Sequence, residues 1–547
     1  MKKHYIRQVG RVGTVLLFSL TLLFASCTDL KDESFDNIIA SQFSPDESDL
    51  AALKGAAYVN WREVMLQWNG LHRANEVTAD QAVIPARPNG WVDGGVYRRL
   101  HEHKWTTDDD VVINTWNRTY AGITNCNRII YQVEEKIIPV PEEEIESLIA
   151  EIKLLRASYY WVLIDFFGNV PIIERFDVPE GFLPEQNTRT EVFDFIVEEV
   201  KNNIQKVSPE NNQTTYGKFN KWAGFTLLAK MYLNAEVYTG ESMWEECISA
   251  CDSVINSGAG YELESNQKNV FITDNQNSAE IIFALPFESK YVTAWNAFDI
   301  HMQTLQPANQ KTYNLEYSPW GGICAVPQFI ETFDPDDSRY LDNYIKGQQY
   351  ASNGDSLYCT LGELAGEPLA YINELPGVDD SQEIHGFRLG KFEIEMGATN
   401  RLSNDWPLFR YADILLMKAE SLLRLGFEDE AATIVTQVRS RNFPGQPEKA
   451  EVTGADLLQG SAYEYGLDNH LNSTYEGGED IQYGAFLDIL GREFCQEGRR
   501  RSDMIRFGAF TTKSWLSHSP NGDHRVLFPI PEPELQKNPN LTQNPGY

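Results

Sequence analysis

Apolar residues recur at helical spacing over long stretches of this chain, and that periodicity restricts the architecture more than any single motif. From Glu144 to Phe167 the positions Ile145, Leu148, Ile149, Ile152, Leu155, Tyr159, Leu163 and Phe166 follow the i, i+3, i+4, i+7 rule of one buried helix face. Pro141 ahead and Gly168 behind bracket this helix. Phe219 to Tyr238 carries Trp222, Phe225, Ala229, Tyr232 and Leu233 on a face, breaks at Thr239-Gly240-Glu241-Ser242, and resumes from Trp244 to Ile255. A second pair opens with Asp405 as N-cap and Pro407 in the first turn, then runs through Leu408, Tyr411, Leu415, Ala419 and Leu422 to Gly426. Its partner carries Phe427, Ala431, Ile434, Val435 and Val438. Each pair is slightly longer than a tetratricopeptide unit of about 34 residues, with alanines where helices touch. The pattern predicts a mainly α fold with a scaffold of helical hairpins over about 110–258 and 405–510.

Between these blocks, residues 68–110 and 260–404 are rich in Gly, Pro, Asn and aromatic residues. Loops of such length, when ordered, usually carry function. Glu280-Ile281-Ile282-Phe283-Ala284-Leu285 is β-rich and predicts minor strand structure.

The N-terminus reads as a lipoprotein leader. Lys2, Lys3, Arg7 and Arg11 form a basic region, and Val15 to Ala25 is an apolar stretch too short to span a bilayer. Ala25 and Ser26 ahead of Cys27 suit cleavage at a lipid-modified cysteine, which makes 1–26 a signal peptide and Cys27 the acylated mature N-terminus. Two or more acyl chains hold a protein firmly on a membrane. Residues 27–45 are polar and acidic and read as a tether, leaving 46–547 as the folded domain.

Loss of the leader removes four basic residues and no acid, so the formal charge moves from −33 to −37. Such a surface repels nucleic acid and anionic head groups, which excludes a nucleic-acid role. The six cysteines beyond Cys27 are scattered and contain no CxxC pair, so neither a disulfide framework nor a zinc site is predicted. HExxH, Walker, GxSxG and EF-hand motifs are missing from the sequence. Asp334-Pro335-Asp336-Asp337 lacks the alternating ligands of a calcium loop and reads as a solvated turn, while His101 and His103 read as a satisfied surface pair. No enzyme activity, metal or cofactor is predicted.

Four segments carry a family resemblance: AEIKLLRASYYWVLIDFFGNVPII (Ala150 to Ile173), GKFNKWAGFTLLAKMYLNAEVYTG (Gly217 to Gly240), DWPLFRYADILLMKAESLLRLG (Asp405 to Gly426), and REFCQEGRRRSDMIRFG (Arg492 to Gly508) with the terminus LFPIPEPELQKNPNLTQNPGY (Leu527 to Tyr547). Together they resemble the SusD/RagB family of Bacteroidetes outer-membrane lipoproteins. The resemblance implies a SusD-like fold with a loop-rich ligand face. It also implies a lid over a SusC-like TonB-dependent barrel, capturing oligo- or polysaccharide outside the cell and delivering it to the pore. Peptide cargo in the same import role is the alternative, and a surface glycoside hydrolase is a more distant one. The charged residues Glu493, Glu497, Arg499, Arg500, Arg501, Asp503 and Arg506 stand at spacings that predict i, i+3 and i+4 pairs along one helix.

Sugars offer flat C–H faces rimmed by hydroxyls, so a site needs open aromatic platforms beside polar groups. Trp161, Trp222 and Trp406 fall in the helical motifs and are assigned to the core. Trp68 and Asn69, Trp91 and Asp93, Trp295, Tyr317 and Trp320 fall outside them, among small and polar neighbours, and are the candidate ligand-binding residues.

Overall fold

The computed structural model describes residues 47–547 except 89, 293–297 and 470–474, so the leader, Cys27 and the 27–45 tether lie outside the described residues. The segments with helical periodicity are helices. α1 (Glu47–Leu66), α2 (Leu71–Glu76), α3 (Val96–His101), α4 (Asp110–Glu134) and α5 (Glu142–Phe167) come first. α6 (Arg189–Asn203), α7 (Lys221–Leu233) and α8 (Trp244–Ile255) follow, then α9 (Tyr411–Arg424), α10 (Glu428–Ser440), α11 (Gly484–Phe494) and α12 (Arg500–Arg506). α1 packs on α4, α4 on α5, α5 on α6, α7 on α8, α8 on α9 and α9 on α10, which makes the scaffold a succession of hairpins. The chain encodes the close approaches: a Cβ on Gly122 of α4 would stand 2.5 Å from the Tyr159 ring of α5. Thr188 and Glu191 close a capping box at α6, and the Asn220 side chain accepts from the backbone of Trp222 and Ala223 at α7.

The second hairpin opens later than its periodicity suggests. Trp406–Arg410 is a strand, β8, paired antiparallel with β2 (Ile281–Leu285). Asp405 is therefore not an N-cap: its carboxylate accepts from the Phe287 backbone N–H and the Tyr216 hydroxyl. Pro407 rigidifies a strand instead of a first turn, and α9 is capped by Asp413, which accepts from the Arg410 N–H. The other strands are two residues long: β1 (Ala82–Val83) pairs with β3 (Cys324–Ala325), β4 (Tyr344–Ile345) with β7 (Arg388–Leu389), and β5 (Gly347–Gln348) with β6 (Ala370–Tyr371).

Residues 68–110 are less loop-like than their composition suggests, since α2 and α3 lie within them and every residue from 71 to 85 is buried. His101 and His103 are not a surface pair. Both are fully buried, and the His103 ring lies 4.2 Å from that of His518. The Asp334–Asp337 turn is likewise only partly solvated, because Lys449 bridges Asp334 and Asp336 while Asp337 is buried against Arg339.

The Arg492–Gly508 segment is not one helix either. Gln496 (φ 66°) and Gly498 (φ 70°) adopt left-handed conformations that separate α11 from α12. Arg499–Asp503 and Asp503–Arg506 make the predicted local pairs. The remaining charges reach across the fold: Arg500 to Asp80, Arg501 to Asp165, and Glu493 to Arg339, Arg410 and Arg441. Arg410 also pairs with Glu280 at 2.7 Å and Glu497 at 2.8 Å, and Lys391 pairs with Glu497 at 2.6 Å. Burial alone would push the Glu493 carboxyl up, but Arg441, Arg410 and Arg339 outweigh it and hold it well below the usual range.

Removing one member of such a network leaves a buried charge unpaired, which costs about 3–5 kcal/mol. Arg410→Met is expected to lower the unfolding free energy measured by urea denaturation by that much, while Lys537→Met, at an exposed pair, leaves it unchanged.

Burial also keeps histidines neutral. His72 and His103 are pushed down to about 3 and His301 to about 4, burial being the main cause in each. In the unfolded chain these rings protonate near pH 6.5, so the folded state gives up stability as pH falls from there toward 3 or 4. Glu76, pushed up to about 7 by burial, acts in the opposite sense, since its strain is relieved as it protonates. His101 and His518 are lowered by burial in the same sense, so between pH 7 and pH 5 the histidines together lose more stability than Glu76 returns, and a net loss is expected in denaturant titrations at the two pH values.

Candidate ligand-binding site

Three of the candidate tryptophans converge on one spot. α1 ends in the turn Gln67–Gly70, which projects Trp68. A Cβ on Gly70 would meet the carbonyl oxygens of Val64, Met65 and Gln67 at 2.8 Å, so the tight exit from the helix requires glycine there. Trp91 arrives from the loop between β1 and α3, and Trp320 from the segment before β3. The Trp91 ring centroid lies 6.2 Å from that of Trp68, 5.8 Å from Trp320 and 5.2 Å from Tyr97 on α3. All three indoles are partly exposed. Trp91 also rests on the backbone of Gly322, where a Cβ would fall 1.8 Å from its ring.

Arg73 on α2 lies under this group. Its guanidinium carbon is 4.6 Å from the Trp68 ring centroid, 5.7 Å from Trp91 and 5.8 Å from Tyr97. Buried cation–π contacts contribute up to about 2 kcal/mol each. Nε donates to Gln303 Oε1 at 3.1 Å and Nη1 to Asn69 Oδ1 at 3.5 Å, and among the described residues no carboxylate pairs with Arg73 directly. Gln303 in turn donates to Asp299 at 2.6 Å, whose carboxyl is pushed up by burial despite the nearby Arg73 charge.

The other candidates divide. Asn69 is buried with a left-handed φ of 54°, and its amide oxygen serves Arg73. Asp93 is exposed and accepts from the Tyr97 hydroxyl, fixing α3 against the Trp91 loop. Tyr317 is 50% exposed on the segment that leads to Trp320, and Trp295 lies outside the described residues. Trp406 is fully buried and Trp222 nearly so, its indole N–H donating to the Pro209 carbonyl at 2.7 Å. Sequence reasoning missed Arg73, Tyr97, Gln303 and Gly322. The available signal was spacing: Arg73 follows Asn69, and Tyr97 follows Asp93, by one helical turn.

An enclosed cavity of about 70 Å³ lies elsewhere, inside the helical scaffold. Its charged walls are consumed by the pairs Lys230–Asp413, Arg499–Asp503 and Arg506–Asp503, so it offers a ligand no free charge from them.

Two family models match in tandem: "Starch-binding associating with outer membrane" over residues 42–233 and "SusD family" over residues 373–547. The chain belongs to the SusD/RagB family. Starch-binding protein SusD of Bacteroides thetaiotaomicron is 26% identical over 516 residues, covering 86% of this chain and 84% of that protein. A solved laminarin-binding SusD-like protein superposes with a TM-score of 0.69 at 20% identity, over 92% of this chain and 100% of that one. Surface glycan-binding protein A from Bacteroides thetaiotaomicron, solved with laminarihexaose, gives 0.66 at 16% identity, over 91% and 99%. These likenesses establish the SusD-like, mainly α fold with minor β structure. SusD-like family members are binding proteins, not enzymes.

Proposed function

We propose that this chain is a cell-surface lipoprotein, anchored in the outer membrane through Cys27, that binds oligo- or polysaccharide and delivers it as a lid to a SusC-like TonB-dependent barrel. The observation that carries the reading is the convergence of Trp68, Trp91 and Trp320, from three separate segments, into one aromatic group braced by a buried arginine. Sugar C–H faces stack on such rings, and hydroxyls pair with polar groups at the rim, Asp93 and Tyr317 among them. The relatives whose names mention starch, laminarin or glycan support saccharide over peptide as the cargo.

The ring contacts carry a quantitative expectation. Trp91→Ala and Trp320→Ala each weaken glycan binding by roughly 1–3 kcal/mol, the scale of a hot-spot side chain, with little change in melting temperature. Trp222→Ala does the reverse, costing about 3–5 kcal/mol of stability through the cavity it leaves. Calorimetry against starch, laminarin and peptide pools, with a melting curve for each variant, checks both halves. Normal glycan binding by both loop variants would remove the aromatic group from the function.

The anchor is tested separately. Cys27→Ala is expected to fold normally and leave the outer-membrane fraction, because no helix among the described residues is long and apolar enough to cross a membrane. Fractionation of cells lacking the barrel partner reads the outcome. Retention in the membrane would overturn the lipid anchor.

A further inference from the structure

A second pocket, of about 180 Å³, opens between the middle of α1, the segment that leads into α7 and the end of β2. One water occupies roughly 10–15 Å³, so this space admits a small ring. Lys54, Tyr58 and Arg62 line it from successive turns of α1, facing Tyr216, Lys218 and Pro286. Three of its lining side chains are cationic and none is acidic, in a chain with 79 acids against 46 bases.

The nearby carboxylates are already engaged. Glu151 accepts from Lys54 and from the Tyr58 hydroxyl, both at 2.9 Å. Asp405 accepts from Tyr216 at 2.6 Å and from the Phe287 backbone at 2.8 Å. Among the described residues the Lys218 ammonium donates to the Thr214 carbonyl alone, at 2.8 Å. Arg62 is different. It is half-buried, its guanidinium carbon sits 5.6 Å from the Phe287 ring, and it makes no hydrogen bond or ion pair among the described residues. Burial lowers its proton affinity, and Asp405 offsets only part of this. A desolvated guanidinium with unused donors is the arrangement that recognises a planar or tetrahedral oxyanion by charge-assisted hydrogen bonds. The Tyr58 and Tyr216 rings, with Val59 and Pro286, supply apolar wall.

We propose that this pocket is an anion site, separate from the aromatic group, that takes a carboxylate or sulfate ester carried on a single sugar-sized ring. Arg62 holds the oxyanion, Lys218 supplies long-range attraction, and the tyrosines flank the ring. No bond is made or broken.

Sodium glucuronate, glucose and sodium sulfate at matched ionic strength, titrated calorimetrically into the full mature chain, test the site. Saturable binding of glucuronate, none of glucose, and weaker binding of free sulfate are expected. Arg62→Gln should weaken glucuronate roughly tenfold, the value of one charge-assisted contact, with an unchanged melting temperature. Lys218→Gln should weaken it less, and Trp91→Ala should leave it as in the wild type. The proposal is overturned by wild-type affinity in Arg62→Gln, by no saturable glucuronate binding, by sulfate binding as well as glucuronate, or by loss of glucuronate binding in Trp91→Ala.

Discussion

Arg410 is the group on which the rest of the structure depends. It sits at the junction of β8 and α9, fully buried, with its guanidinium divided between Glu280 next to β2, Glu493 on α11 and Glu497 in the break before α12. Arg339, Arg441 and Lys391 on one side and Asp337 on the other complete a set of four cations and four carboxylates, so the interior charge is balanced. Charges removed from water are costly, and their attraction repays this only when every partner is in place. The network therefore says little about net stability and much about uniqueness: β2, β8, α11 and the short helix Ser338–Asp342 before β4 meet in one arrangement or leave a buried charge unpaired.

The same segment that closes this network also positions the short helix beneath the aromatic group. The Gly498 N–H donates to Glu76 at the end of α2, Arg500 clamps Asp80 with two bonds, and the His72 ring packs edge-on against Trp406. Arg73 thus stands on a short helix held on one side by the α11–α12 break, and it presents its charge to Trp68, Trp91 and Tyr97 on the other. The Arg492–Gly508 segment, one of those that carry the family resemblance, reaches α2 through Glu76. It builds the floor beneath the three tryptophans.

The helical scaffold was legible because long amphipathic helices repeat their burial pattern, as in Ile145 to Phe166. Two kinds of element escaped. Trp406–Arg410 has too few residues to distinguish a strand from a first helical turn, and only pairing with Ile281–Leu285, over a hundred residues away, decides it. α2 is buried on all sides although His72, Arg73, Asn75 and Glu76 are polar, so it carries no apolar stripe to reveal a period. Trp68, Trp91 and Trp320 could each be picked out as candidates from their small, polar neighbours. Their convergence could not, because Trp91 and Trp320 are more than two hundred residues apart and are brought together by backbone bonds from Trp320 and Gly322 to Met302 and Gln303.

Those bonds also bear on how the proposed site would discriminate ligands. Ordering a free side chain on binding costs about 0.5–1.5 kcal/mol, which a shallow site recovers with difficulty. Here Gly322 supports one face of Trp91, Arg73 lies beneath Trp68 and Trp91, and Gln303 ties Arg73 to the segment that carries Trp320. The rings are held in place before any ligand arrives. In the proposed site an aromatic surface set in this way would recognise the spacing of the faces stacked on it, so shape selection would fall to the buried arginine, glutamine and glycine as much as to the tryptophans themselves.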